Sequence, residues 1–157
     1  MQNIVFDDCK KEDKMFRRIV NPDRKLVLLL EQEFSRILDA IYSEIRPLGF
    51  YWTTDELLQE IRCDVGMSSI PNSVLWIHFD SQKGKTSEID RIRSFIIYRE
   101  VGDVLDITVV ATDPEVKRQK YAFSLFEEII RVEITENKAL EANHRQVWLE
   151  VHERNFA

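Results

Sequence analysis

Residues that usually mark special chemistry are scarce in this chain. It has two cysteines, three histidines, four glycines and four prolines in 157 residues. Cys9 and Cys63 lie far apart with no CxxC spacing, which points to reduced thiols rather than a disulfide framework. His78, His144 and His152 are scattered, and no pair has metal-ligand spacing, so no metal is expected. An excess of positive charge is also lacking. The formal net charge is −6, so nothing global favours nucleic acid, although a local basic patch stays open. No apolar run is long enough to span a bilayer, so no membrane partner is expected. The first residues, "MQNIVFDDCKKEDKMF", have no uninterrupted apolar stretch of the kind a secretory leader needs. The expectation is a cytoplasmic globular protein.

What is present is an ordinary balance of 44% apolar and 32% charged residues, enough for one domain with a real core. Residues 1–24 read as an N-terminal segment: "NIVF" fits a short strand and "KKEDKMFRRIV" fits a charged helix. "LVLLL" at 26–30 fits either a strand or the start of the next helix. From Glu31, Phe34, Ile37, Leu38, Ile41, Tyr42 and Ile45 recur at helical spacing, and Pro47 and Gly49 stop the pattern. A second helix follows at "TTDELLQEIR", where Thr53 and Glu56 make a capping box. After the loop at 64–73 come three strands, at 73–79, 92–100 and 104–112, joined by short turns and so antiparallel. Pro114 then opens a helix with Ala122, Leu125, Phe126, Ile129 and Ile130 on one face, and a last strand follows at 146–152. Strand, crossover helix and strand make a parallel βαβ step. Trp76 and Phe79 read as core or sheet-face residues.

The handover at "DITVVATDPEVKRQKYAFSLF" places Lys117, Arg118 and Lys120 just before a helix. A helix N-terminus offers unpaired N–H groups and the positive end of a dipole, a ready anion site. The same cations also suit a plain solvated helix start, and composition alone favours that reading because basic residues near helix starts are common.

The segment "ITVVATDPEVKRQKYAFSLFEEII" resembles the acetyl-CoA-binding segment of the GNAT superfamily of N-acetyltransferases: an apolar strand, a Pro, then [Q/R]-x-x-G-x-[G/A] opening a helix. In that register Lys117 takes the Gln/Arg position, Lys120 the first Gly and Ala122 the Gly/Ala. "VWLEVHERNFA" at 147–157 is similar to the "LWLEV…N…A" strand of the RimI-like bacterial enzymes that acetylate the N-terminal alanine of ribosomal proteins. With the element order, the resemblance spans about residues 25–157, taken as the acetyltransferase domain. It implies an α/β (α+β) acyl-CoA N-acyltransferase fold: a mixed, mostly antiparallel sheet with one parallel βαβ step and helices on both faces.

For chemistry, the resemblance implies acetyl transfer from acetyl-CoA to a primary amine, on a protein N-terminus or a small molecule. The strands at 104–112 and 146–152 would splay, and the pantetheine arm would pair with the backbone of Thr108, Val109, Val110 and Ala111. Backbone N–H groups from Arg118 to Phe123, through Gln119, Lys120, Tyr121 and Ala122, would hold the pyrophosphate, with Lys117 nearby. The Val110 N–H would polarise the acetyl carbonyl. Glu150 would be the general base and Asn155 would contact the pantetheine arm. His152 reads as an ordinary strand residue, with an auxiliary base as the other reading. The entrance for the amine is expected along residues 47–73.

Two departures from the family pattern stand out. Lys120 replaces a Gly that normally gives close approach and unusual torsions. The sequence ends at Ala157, before the helix, two strands and general-acid Tyr of relatives, so either the chain is truncated or the thiolate leaves without that acid. A thiol pKa near 8.5 makes thiolate a tolerable leaving group without that Tyr. The last strand would remain an edge, where a second copy can pair through residues 146–152 to form a homodimer. The alternative is a degenerate family member that binds CoA weakly or mediates protein contacts.

Overall fold

The computed structural model describes residues 15–44, 52–61, 73–82, 85–102, 104–136 and 146–149. Its elements run in the order β1 (Met15–Ile19), α1 (Arg24–Glu44), α2 (Thr54–Ile61), β2 (Ser73–Gln82), β3 (Lys85–Val101), β4 (Val104–Thr112), a 3-10 turn (Pro114–Val116), α3 (Tyr121–Ile130), a π-helical segment (Arg131–Glu136) and β5 (Gln146–Leu149). The sheet order is β1-β2-β3-β4-β5. The first four strands are antiparallel neighbours, and β5 runs parallel to β4.

The stretch read as a charged helix is, over Met15–Ile19, a strand paired with β2. Its side chains explain why. Met15 and Ile19 pack on one face of the sheet, and Phe16 packs on the other. A helix would have needed those residues on a single stripe. Arg17 lies 5.3 Å above the Phe79 ring, so even the charged residues serve the strand.

"LVLLL" belongs to α1. Asp23 caps that helix: its Oδ1 accepts from the Leu26 N–H at 2.8 Å, and its carbonyl accepts from Val27. Leu30, Phe34, Ile37 and Leu38 are buried along one face. In α2 the capping box forms as expected. The Thr53 hydroxyl accepts from the Glu56 N–H at 3.2 Å, and Glu56 Oε2 accepts from the Thr53 N–H at 3.4 Å. The Tyr42 hydroxyl donates to the Trp52 carbonyl at 2.7 Å and ties the two helices together.

The sheet separates two cores. On one face α1 and α2 pack against Leu75, Ile77, Phe79, Ile92, Phe95, Ile97, Val109 and Ala111. On the other, Leu125 and Ile129 of α3 pack against Val74, Trp76, Ile96, Tyr98, Leu105 and Ile107. Trp76 and Phe79 are buried core residues, as read. Each fully buried large apolar side chain contributes about 1.5–3 kcal/mol, so both helix layers are held by burial. Helices therefore cover both faces, and β4 is the strand between the meander and the parallel step.

Candidate functional site

β4 is not a regular strand. Ile97 is registered opposite Val109, and Tyr98 opposite Ile107, so Thr108 is an extra residue in a β-bulge. The consequence shows in the packing. Leu105 and Ile107 face the α3 core, whereas Val109 and Ala111 face the α1/α2 core. All four are odd-numbered, and in an unbroken strand they would share one face. The Thr108 hydroxyl donates to the Ile97 carbonyl at 3.1 Å, bridging the bulge.

Among the described residues, the pairing of β4 with β5 lies wholly before the bulge. The parallel register runs from Val104 opposite Gln146 to Ile107 opposite Leu149. In a strand, side-chain face and the direction of the backbone N–H alternate together. Asp113 donates its N–H to the Arg93 carbonyl of β3, so, counting back by twos, Ala111 and Val109 point to β3 while Thr112 and Val110 point away. Groups aimed away from β3 thus fall at Leu105 and Ile107 before the bulge and at Val110 and Thr112 after it. That three-residue step breaks the phase of the ladder. Among the described residues, Thr108–Thr112 have no strand on that side.

Where β4 ends, the chain is clamped. Asp113 is fully buried, and its Oδ1 caps the 3-10 turn by accepting from the Glu115 N–H at 3.1 Å. Its Oδ2 accepts from Arg36 Nη1 of α1 at 2.7 Å and from Arg93 Nη1 of β3 at 3.3 Å. Burial alone would raise this carboxyl. The Arg36 bond, the Glu115 amide and the nearby charges outweigh it and hold Asp113 below the usual carboxylate range. Arg36 also bonds Glu33 and the Ile92 carbonyl, and Glu33 accepts from the Ile92 N–H, so α1, β3 and the turn form one network.

The loop that follows is held in an uncommon shape. Arg118 and Lys120 have φ of 67° and 63°, in the left-handed region. Lys120 is the N-cap residue of α3. The Lys therefore adopts the backbone shape that a Gly takes most easily, at a cost of about 1 kcal/mol. The Ser124 N–H reaches the Lys120 carbonyl, and the Gln119 N–H reaches Val116. Among the described residues, the N–H groups of Arg118, Lys120, Tyr121, Ala122 and Phe123 have no hydrogen-bond acceptor. Lys117 Nζ pairs with Glu44 Oε2 of α1 at 3.1 Å, while Arg118 and Lys120 are exposed.

Beneath the first turn of α3 sits His78, buried between the Phe16 and Tyr121 rings at centroid distances of 4.5 and 4.6 Å. Its Nδ1 lies 3.3 Å from the Tyr121 carbonyl. This stack supports the helix start from the sheet side.

Thr108, Val109, Val110 and Ala111 thus lie at the end of β4, and Lys117, Arg118, Gln119, Lys120, Tyr121, Ala122 and Phe123 follow in the loop and first turn of α3. Glu150, His152 and Asn155 lie outside the described residues, as does most of 47–73. Sequence reading missed the bulge at Thr108 and the arginine clamp on Asp113. The Asp before Pro114 was a visible capping signal. Its partners Arg36 and Arg93 come from distant segments and gave none. Among the described residues, no group of His, Cys, Asp and Glu is arranged to hold a metal ion, and no helix is long and apolar enough to cross a membrane.

No family profile and no curated protein matches the sequence. Solved structures do match. A GNAT-family acetyltransferase from Staphylococcus aureus aligns over 92% of this chain and 91% of its own, with a TM-score of 0.52 at 11% identity. This chain has the GNAT acetyltransferase fold. An aminoglycoside acetyltransferase from an uncultured soil metagenomic sample, solved with sisomicin, aligns over 93% of this chain and 82% of its own, with a TM-score of 0.52 at 10% identity. The ribosomal-protein-S18-alanine N-acetyltransferase of Escherichia coli aligns over 90% of this chain and 70% of its own, at 18% identity and a TM-score of 0.49. Within the GNAT acetyltransferase fold, the bulged β4 and the start of α3 form the segment on which the candidate site is built.

Proposed function

We propose that this protein is an acetyl-CoA-dependent N-acetyltransferase acting on a primary amine. The observation that carries the reading is the outward-turned backbone of one segment. Beyond Ile107 the bulge turns the Val110 and Thr112 N–H groups away from β3, and a row of helix-start N–H groups without acceptors follows. An extended amide-bearing arm suits the first, and a diphosphate suits the second. Pantetheine diphosphate carries both in that order. Arg118 and Lys120 add positive charge at the phosphate end.

In this reading the arm pairs with Thr108 to Ala111, and the Val110 N–H, directed away from β3, donates to the thioester oxygen. The amine nitrogen attacks the carbonyl carbon, the nitrogen gives up a proton as the C–S bond breaks, and the departing thiolate is protonated. An amine near neutral pH is mostly protonated, so a base must free its lone pair. Glu150 is assigned that role and Asn155 a contact to the arm. The acceptor class, a protein N-terminus or a small polyamine, follows the same chemistry. The aminoglycoside acetyltransferase that shares the fold is a precedent for an amine-rich small acceptor.

The test pairs binding with turnover. Thermal shift should show stabilisation by acetyl-CoA and CoA beyond that by plain phosphate. A panel of peptides and polyamines should release CoA thiol with at least one acceptor. Glu150→Gln should slow transfer by about a hundredfold or more while CoA affinity stays within twofold. Binding with no turnover on any acceptor favours a non-catalytic CoA-binding protein. Equal turnover in the variant removes Glu150 from the mechanism.

A further inference from the structure

We infer that the Thr108 hydroxyl is a positioning group that locks the β4 bulge and thereby aims the Val110 N–H at the reacting carbonyl. The inference rests on the acetyl-transfer reading but adds a residue role to it.

Three observations converge. Thr108 is the inserted residue, between the Ile97–Val109 and Tyr98–Ile107 pairs. Its side chain is half-buried and donates to the carbonyl of Ile97, the residue that faces the bulge. The two cores exchange faces at this position, so the insertion is fixed by packing both before it and after it. Without the extra residue, the N–H of Val109 rather than that of Val110 would face away from β3. The identity of the amide that meets the thioester therefore depends on one inserted residue staying in place. Inserted residues leave a ladder locally disrupted: the two cores set which side each neighbour faces, and the unpaired backbone at the inserted residue still needs a pin. A hydroxyl on the inserted residue, bonded across to β3, is such a pin. Burial of Thr108 as a methyl-bearing side chain would not require that bond, and this gives the test its contrast.

Thr108→Val keeps the shape and β-propensity and deletes the hydroxyl, whereas Thr108→Ser keeps the hydroxyl. Two readouts are taken. In the free protein, amide hydrogen exchange at Val109, opposite Ile97, should speed up about fivefold in Thr108→Val and return to the wild-type rate in Thr108→Ser. In steady-state assays kcat should fall about fivefold in Thr108→Val, with KM for acetyl-CoA within twofold, and recover in Thr108→Ser. Unchanged exchange at Val109 overturns the lock. Faster exchange with unchanged kcat overturns the link to the reacting carbonyl. A rise in KM equal to the fall in kcat/KM overturns it too, because it marks a binding role instead. If the wild-type chain transfers no acetyl group, the acetyl-transfer reading and the catalytic part of this inference both fail, and the exchange comparison still decides the lock.

Discussion

Two buried carboxylates flank α3 and are held in different ways. Asp113 stands before it, 1% exposed at the side chain, within reach of Arg36, Arg93 and Arg91 and capping a turn with its second oxygen. Glu133 stands after it in the π-helical segment, 4% exposed, bonded to Arg18 of β1 at 2.6 Å. It also borders the Tyr98 hydroxyl, which accepts from Trp76 Nε1 at 3.0 Å. Burial first, and then the Glu133 charge, push the Tyr98 hydroxyl well above its ordinary range. Asp113 thus fixes a loop through backbone and arginines from two elements. Glu133 holds a helix end through its side-chain bond to Arg18. Under the proposed function, the first segment must hold its backbone amides in one orientation, whereas the second only needs to stay docked.

The sharpest way to break that contrast is at Asp113. Asp113→Ala strands Arg36 and Arg93 and uncaps the 3-10 turn, and should cost about 3–5 kcal/mol in urea unfolding. The milder Asp113→Asn adds a pH signature. The folded-state carboxyl titrates below its unfolded value, so its contribution is complete above about pH 5 and is lost as pH falls through the folded pKa. The stability gap between wild type and Asp113→Asn should be flat from pH 5 to 8 and close below about pH 3.9. A gap that widens in acid would contradict the assigned charge state.

A smaller effect is expected at the other end. Glu133→Gln keeps the shape and weakens the tie to Arg18, whose side chain is 39% exposed and can turn to water. The expected loss is about 1–2 kcal/mol, with the thermal shift by CoA preserved. Loss of CoA binding in this variant would mean that the two ends of α3 are not separable.

The smallest effect tests the loop itself. Lys120→Gly relieves a left-handed Lys but adds unfolded-chain entropy, and should stabilise the protein by about 0.5 kcal/mol. CoA affinity should change by less than about threefold if backbone amides carry the phosphate. A loss of more than about tenfold would assign the binding to the Lys120 ammonium.

Much of this fold was legible because its signals are local. The capping box at Thr53 and Glu56 and the run at 104–112 each show within one window and stand in the structure as read, while the α3 stripe holds at Leu125 and Ile129 but Ile130 is exposed and the helix opens only at Tyr121. Met15–Ile19 was misread because five residues among charges carry no decisive period, and only pairing with β2 selects a strand. The start of α1 was left open for the same reason, since "LVLLL" suits either form until Asp23 caps it. The bulge at Thr108 was invisible because its neighbours on both sides are apolar, and the change of face appears only when a second core exists to receive Leu105 and Ile107.

By itself the sequence determined the element types from Glu31 onward, the order of the meander and the βαβ step, and the cationic lead-in to α3. These follow from periodicity, capping and turn chemistry, which act over a few residues. Tertiary structure alone decided that β4 shifts phase at Thr108, that Arg36 and Arg93 converge on Asp113, and that Lys120 takes a glycine-like backbone. Those outcomes depend on contacts between residues 11 to 77 positions apart, whose energies exist only once the chain has closed on itself.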